Sequence, residues 1–181
     1  MNVNEYLDNC FKDNTLYSYL DNIPDNKTFD KFEILTNLLD RLNDEYKFKI
    51  TKFNLNKKGY PQYMLLSGDK GILAYLKFIV VQTKEFKTDS ICSNLELVKD
   101  LICRAESELD RPVFIIYVLA SKNNNGIYFE TNEQIKDRLF FDKKAISSDK
   151  KQYIPDIDTL GDINNLIKIF SELKKYNVKF H

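Results

Sequence analysis

The chain has 181 residues, of which 43% are hydrophobic and 13% aromatic, enough for a single domain with a substantial core. Lys and Arg total 27 and Asp and Glu total 27, so no global positive field recruits nucleic acid, and any such contact must come from a local patch. The three cysteines, Cys10, Cys92 and Cys103, are odd in number and far apart, which argues against a disulfide framework or a zinc site and fits a reducing cytoplasm. The polar, acidic start (Asn2, Asn4, Glu5, Asp8) lacks a signal-peptide pattern, and no stretch approaches the ~20 apolar residues of a membrane helix. A cytoplasmic chain without membrane contact is expected.

Residues 1–27 read as an N-terminal helical extension, with Leu7, Phe11, Leu16, Tyr19 and Leu20 at loose helical spacing and a break at Pro24-Asp25-Asn26. Residues 28–181 read as one α/β domain. Thr28 is placed to cap an amphipathic helix over about Thr28 to Tyr46, in which Phe29, Phe32, Leu35, Leu38, Leu39 and Leu42 recur at three- and four-residue steps. Lys47 to Leu55 alternates as a strand whose phase shift near Phe53 suggests a bulge. Gln62 to Leu66 is a second strand. Ile72 to Lys84 is a long apolar strand with a polar exit at Gln82-Thr83-Lys84. Short loops at Asn56–Gly59 and Ser67–Gly71 make the three an antiparallel meander.

Ser90 to Leu109 carries Leu95, Val98, Leu101, Ile102, Ala105 and Leu109 on one stripe, and Ser93 with Glu96 matches a capping box. Arg111-Pro112 stops that helix. Val113 to Leu119 is a nearly continuous β-branched and aromatic run, the mark of a strand covered on both faces at the centre of a sheet. A short strand at Ile127–Glu130, a short helix at Asn132–Phe141, an extended Tyr153-Ile154-Pro155 and a closing helix through Ile163, Leu166, Ile167, Phe170 and Leu173 complete the order.

Helix, three strands, helix, strand resembles the core of the PD-(D/E)XK nuclease superfamily. More closely, the chain resembles the small bacterial and phage nuclease-like domains whose motif runs from an aspartate on the second strand to Gln-x-Lys on the third. The resemblance spans roughly Thr28 to Leu173 and rests on Gly59-Tyr60-Pro61-Gln62, Val81-Gln82-Thr83-Lys84, the run from Arg111 to Tyr117, Gly126-Ile127-Tyr128-Phe129 and Tyr153-Ile154-Pro155. It implies a restriction-endonuclease-like α/β fold, a central mixed sheet flanked by helices. It also implies Lys84 as the catalytic lysine, Gln82 as a carbonyl ligand, Gln62 at the position of the family's aspartate, and Glu33 on the first helix where such families often carry a glutamate. Gln82, Gln62 and Glu33 would then be the metal set and Lys84, Gln82 and Glu33 the catalytic set, with Mg²⁺ as cofactor if the domain is active.

The departure from the family is the acid. Gln62 stands twenty residues before Gln82 and Lys58 stands where an acidic residue often precedes it, and neither carries a negative charge. Asp69 lies in the hairpin loop, thirteen residues of strand at ~3.3 Å each from Gln82, which is out of reach. Two amides and one carboxylate make a poor Mg²⁺ trap. The expectation is therefore a nuclease-like domain of a bacterial or phage defence or counter-defence system with a degraded metal site, binding DNA or a protein partner. The alternatives are an active Mg²⁺-dependent DNA endonuclease and a protein-interaction module of the inhibitor or immunity kind. Lys47, Lys49, Lys52, Lys57 and Lys58 are the candidate phosphate contacts, with a solvated strand face as the bland alternative. Tyr60, Tyr63 and Tyr75 could stack on bases, although core and cross-strand packing is commoner at this spacing.

Overall fold

The structure is a computed structural model that describes residues 2–12, 29–53, 60–68, 71–82, 87, 91–121 and 125–179. Five helices, α1 (Val3–Phe11), α2 (Lys31–Asp44), α3 (Leu95–Arg104), α4 (Asn132–Phe141) and α5 (Ile163–Lys179), flank a mixed sheet. Its strands are β1 (Lys49–Lys52), β2 (Tyr63–Leu66), β3 (Ile72–Val81), β5 (Val113–Ala120), β6 (Asn125–Thr131) and β8 (Gly161–Asp162), in the order β1-β2-β3-β5-β6-β8. β4 (Ser93–Asn94) and β7 (Gln152–Tyr153) form a separate two-stranded pair. The central mixed sheet flanked by helices is the architecture expected from the sequence.

β1, β2 and β3 are the antiparallel meander, and α3 carries the chain over to β5, which pairs with β3 in parallel from Tyr75–Val113 to Val81–Leu119. The helices divide between the two faces. Val3, Tyr6 and Leu7 of α1, Ile34, Leu38 and Leu42 of α2, and Ile163, Leu166 and Phe170 of α5 pack on the face of Ala74, Leu76, Phe78, Phe114 and Ile116. Leu95, Val98, Leu101 and Ile102 of α3 and Ile135 of α4 pack on the face of Tyr75, Val81, Ile115, Tyr117 and Leu119. Strand alternation explains the split, since neighbours along β3 and β5 point to opposite faces and both faces are apolar. All eight residues of β5 are buried, as the β-branched run predicts.

Local departures have local causes. α2 begins at Lys31 rather than Thr28, because Asp30 is its cap and accepts the Phe32 amide at 2.8 Å; Thr28 lies outside the described residues. α3 is capped by Asn94, not Ser93, through the Leu97 amide at 3.1 Å. The apolar stripe beyond Arg104 continues as a π-helical turn, Ala105–Leu109, which closes on Asp110 in the left-handed region at φ 50°. The pairing of the first strand runs on through Phe53, whose backbone N–H donates to Gln62 O at 2.8 Å, while Leu55 lies outside the described residues; a separate register shift falls between Leu65 and Leu66 of β2 against β3. α1 is tied into the core by Tyr6, whose hydroxyl donates to Leu119 O at 2.6 Å, and to α2 by the Asp8–Arg41 ion pair at 2.8 Å.

A buried polar network joins the second face to β7 and α4. The hydroxyls of Tyr117 and Tyr153 donate to the Glu130 carboxylate at 2.5 and 2.7 Å, and Arg138 donates to the Tyr153 hydroxyl at 3.2 Å. Arg138 also pairs with Asp142 at 3.3 Å. Burial raises the Glu130 carboxyl above its ordinary range, against the lowering pull of the two hydroxyls and the guanidinium. Burial, and then the Glu130 charge, push both tyrosines well above the usual phenol value, so each keeps the proton it donates.

Two measurements follow. Phe170 is fully buried, edge-on to Phe48 at 5.6 Å and to Phe114 at 5.2 Å, so Phe170→Ala should lower unfolding free energy by ~3–5 kcal/mol, read from the urea midpoint by circular dichroism. Glu130 titrates higher in the folded than in the unfolded chain, so its share of stability is fully present below its ordinary 4.5 and is lost as pH rises through the raised folded value. Glu130→Gln should remove that part of the decline, and parallel midpoint-against-pH curves for the two proteins would contradict the assignment.

Candidate functional site

The long strand β3 delivers Gln82 to the carboxyl end of the sheet, half-buried and one residue beyond Val81, which pairs with Leu119. Continued alternation carries Gln82 to the face of Phe78 and Val80, the one covered by α1 and α2. The start of α2 comes to the same end. Phe29, just before the helix, packs against Tyr6 with ring centroids 5.6 Å apart, and the Tyr6 hydroxyl donates to Leu119 O. The far end of α2 is fixed over β1, where Asn43 exchanges two hydrogen bonds with the Ile50 backbone at 2.9 and 3.3 Å. Glu33 thus sits in the exposed first turn of α2, on the face and at the end of the sheet where β3 delivers Gln82.

Gln62 is not brought there. It is exposed, and its backbone N–H donates to Leu76 O at 3.1 Å, six residues back from Gln82 and ~20 Å along the strand. Lys84, Lys57 and Lys58 lie outside the described residues. Among the described residues, no three His, Cys, Asp or Glu side chains gather as a cation site. A single exposed carboxylate and one neutral amide do not fit Mg²⁺, which takes hard oxygen ligands and usually a carboxylate or two. Among the described residues, the separation of Gln62 from Gln82 leaves that set poorer than the resemblance implies.

The described lysines are dispersed. Lys49 and Lys52 stand three residues apart on β1 and so leave opposite faces of the strand; Lys49 Nζ donates to Gly68 O at 3.2 Å. Lys47 precedes the strand with φ 59°, and its carbonyl accepts Lys174 Nζ at 2.7 Å. The three tyrosines pack rather than present free rings. Tyr60 is buried, with its hydroxyl on Glu108 at 2.7 Å and the Arg104 guanidinium over its ring at 4.5 Å. Tyr75 meets Phe53 at 5.0 Å and Tyr63 meets Phe78 at 5.4 Å.

Two features escaped the sequence reading. Lys77, in the middle of β3, is half-buried and its ammonium is lowered by burial, although nothing in an apolar run marks which face will bury it. At the carboxyl end, on the side of α3 and α4, a cleft of about 550 Å³ opens between the first turn of α3, the last turn of α4 and the loop after it. Its signal in the sequence is the pair Phe140-Phe141, which continues past the apolar stripe of α4 into a lysine-rich loop.

No protein-family model matches the chain, and no curated protein matches it. Among solved structures it is similar to Archaeoglobus fulgidus Hjc, a Holliday junction resolvase from an archaeal hyperthermophile, with TM-score 0.48 and 14% identity over 76% of this chain and 94% of that one. It is similar to the same degree to D212, a nuclease from a fusselovirus, with TM-score 0.48 and 14% identity over 81% of this chain and 94% of that one.

Proposed function

We propose that the chain is a nuclease-like domain of a bacterial or phage defence or counter-defence system that binds DNA at the carboxyl end of β3 without efficient cleavage. One observation carries the reading. β3 leaves the meander, pairs in parallel with β5 across the α3 connection, and runs on from Val81 into Gln82 at the carboxyl end of that pair. The carboxyl end of parallel strands is where open α/β sheets generally take their ligands. The chain continues from Gln82 to Lys84, an amide and an ammonium two residues apart, the pair that the resembled nuclease domains carry on their third strand.

Binding without efficient cleavage follows from the donor chemistry. A phosphate can be held by an ammonium and by amide N–H groups, whereas drawing charge off a scissile phosphate through a cation needs carboxylates. Gln62 and Lys58 occupy the positions where acids would be needed, and Gln62 stands away from Gln82.

The test is incubation of the purified protein with supercoiled plasmid and Mg²⁺ or Mn²⁺, alongside duplex retention on a gel at several salt concentrations. The expected outcome is intact plasmid with retention that falls steeply as salt rises, and a uniform weakening across DNA sequences in Lys84→Ala. Nicking or linearisation that disappears in Lys84→Ala would overturn the non-cleaving reading in favour of a metal-dependent endonuclease. Failure to retain DNA at any salt would overturn the DNA reading in favour of a protein partner.

A further inference from the structure

We propose that the cleft between α3 and α4 is a binding site for unpaired nucleic-acid bases, with Phe140 and Phe141 as the stacking surface and Lys143 and Lys150 as the phosphate contacts. The two phenylalanines are 82% and 79% exposed, although they are among the largest apolar side chains in the molecule. Their rings meet edge to face, with centroids 4.9 Å apart, so each presents a free face to solvent. Adjacent protruding aromatic rings are costly to leave in water and mark an interaction surface.

The cleft's charges indicate what the rings meet. Lys99, Lys143 and Lys150 line it together with Glu96 and Asp142. The two acids are already engaged: Glu96 lies 4.0 Å from Lys99, while Asp142 pairs with Arg138 at 3.3 Å and accepts the Lys144 amide at 2.9 Å. Asp149 accepts from the Ser147 hydroxyl at 2.5 Å. Among the described residues, neither Lys143 nor Lys150 has a carboxylate at ion-pair distance, and Lys144 and Lys151 stand beside them in the chain. Flat apolar faces next to uncommitted ammonium groups match a ligand that alternates planar rings with phosphates. Inside a duplex the base faces are stacked on one another, so the rings here can meet only unpaired bases. A cleft of about 550 Å³ falls in the size range of small-ligand sites and suits a nucleotide better than a peptide helix.

The placement is set by the fold. α3 runs back from the carboxyl end of β3, so its first turn lies there, and α4 starts at the opposite end, where Asn132 accepts the Val113 amide at 3.0 Å, so its last turn arrives there too. The cleft therefore shares an end of the sheet with Gln82 but occupies the other face. The inference goes beyond the proposed DNA contact at Gln82 and stands on different residues, so either can fail without the other.

The experiment is fluorescence anisotropy of the full chain with a labelled oligothymidine strand and with a duplex of equal length, across salt concentrations. Wild type, Phe140→Ala/Phe141→Ala, Lys143→Glu/Lys150→Glu and Lys84→Ala are compared, each also run by sedimentation velocity. Phe140 and Phe141 lie outside the core, so their double variant should melt as wild type does. The expected result is oligothymidine binding weakened about tenfold or more by the phenylalanine pair. The lysine pair should weaken it as well, with the slope of log K against log salt smaller by roughly 0.7 for each lysine replaced. Lys84→Ala should weaken duplex binding more than oligothymidine binding, and the phenylalanine pair the reverse. The proposal is overturned if oligothymidine does not bind, if binding survives the phenylalanine pair, or if the lysine pair leaves it intact. It is equally overturned if wild type self-associates through this cleft and the phenylalanine pair makes it monomeric, since the rings would then be a contact between copies.

Discussion

The parallel pairing of β3 with β5 is the constraint on which the rest of the molecule depends. Seven residue pairs from Tyr75–Val113 to Val81–Leu119 lock two strands whose side chains are apolar on both faces. Neither face can be left to water, so each must be roofed by helices, and the chain supplies α1, α2 and α5 for one and α3 and α4 for the other. A parallel pair also forces a crossover, which returns the chain along α3 and sets the first turn of that helix at the pole where β3 ends. The polar exit of β3 and the cleft by α4 share a pole for that reason.

Much of this was legible in the sequence because the signals were strong and local. The unbroken run from Val113 to Leu119 identifies a strand buried on both faces without reference to any neighbour, and all of β5 is buried. The three- and four-residue apolar steps of α2, α3 and α5 likewise declare their inner faces. The edges of elements were less legible, because a cap is decided by one side chain's geometry. Asn94 outcompetes Ser93, although both residue types are good caps. The two-residue strands β4 and β8 left no signal, since no periodicity fits in two residues, whereas β7 shows at Tyr153 in the extended Tyr153-Ile154-Pro155.

The site was legible only in part, and the reason is again geometric. Spacing along the chain places Gln82 at a strand end and Glu33 at a helix start, and the fold brings both to one end of one face. Gln62 separates from Gln82 because register depends on where β2 meets β3, and the backbone N–H of Gln62 donates to Leu76 O. The Glu130 network escaped for the converse reason. Its partners Tyr117, Arg138 and Tyr153 come from three elements, and a glutamate at the end of Ile-Tyr-Phe-Glu reads as an ordinary polar exit until the fold buries it.

The order of the strands also governs how the molecule can meet its own kind. One margin of the sheet is β1, four residues long with Lys49 on one side and Lys52 on the other, and the opposite margin is β8, only two residues long. Unpaired backbone groups on a long flat border would invite a further strand from another chain; brevity and ammonium groups discourage it. Ribbon-like stacking of copies is thereby disfavoured, and association is steered toward side-chain contacts at the helical surfaces and the sheet's poles.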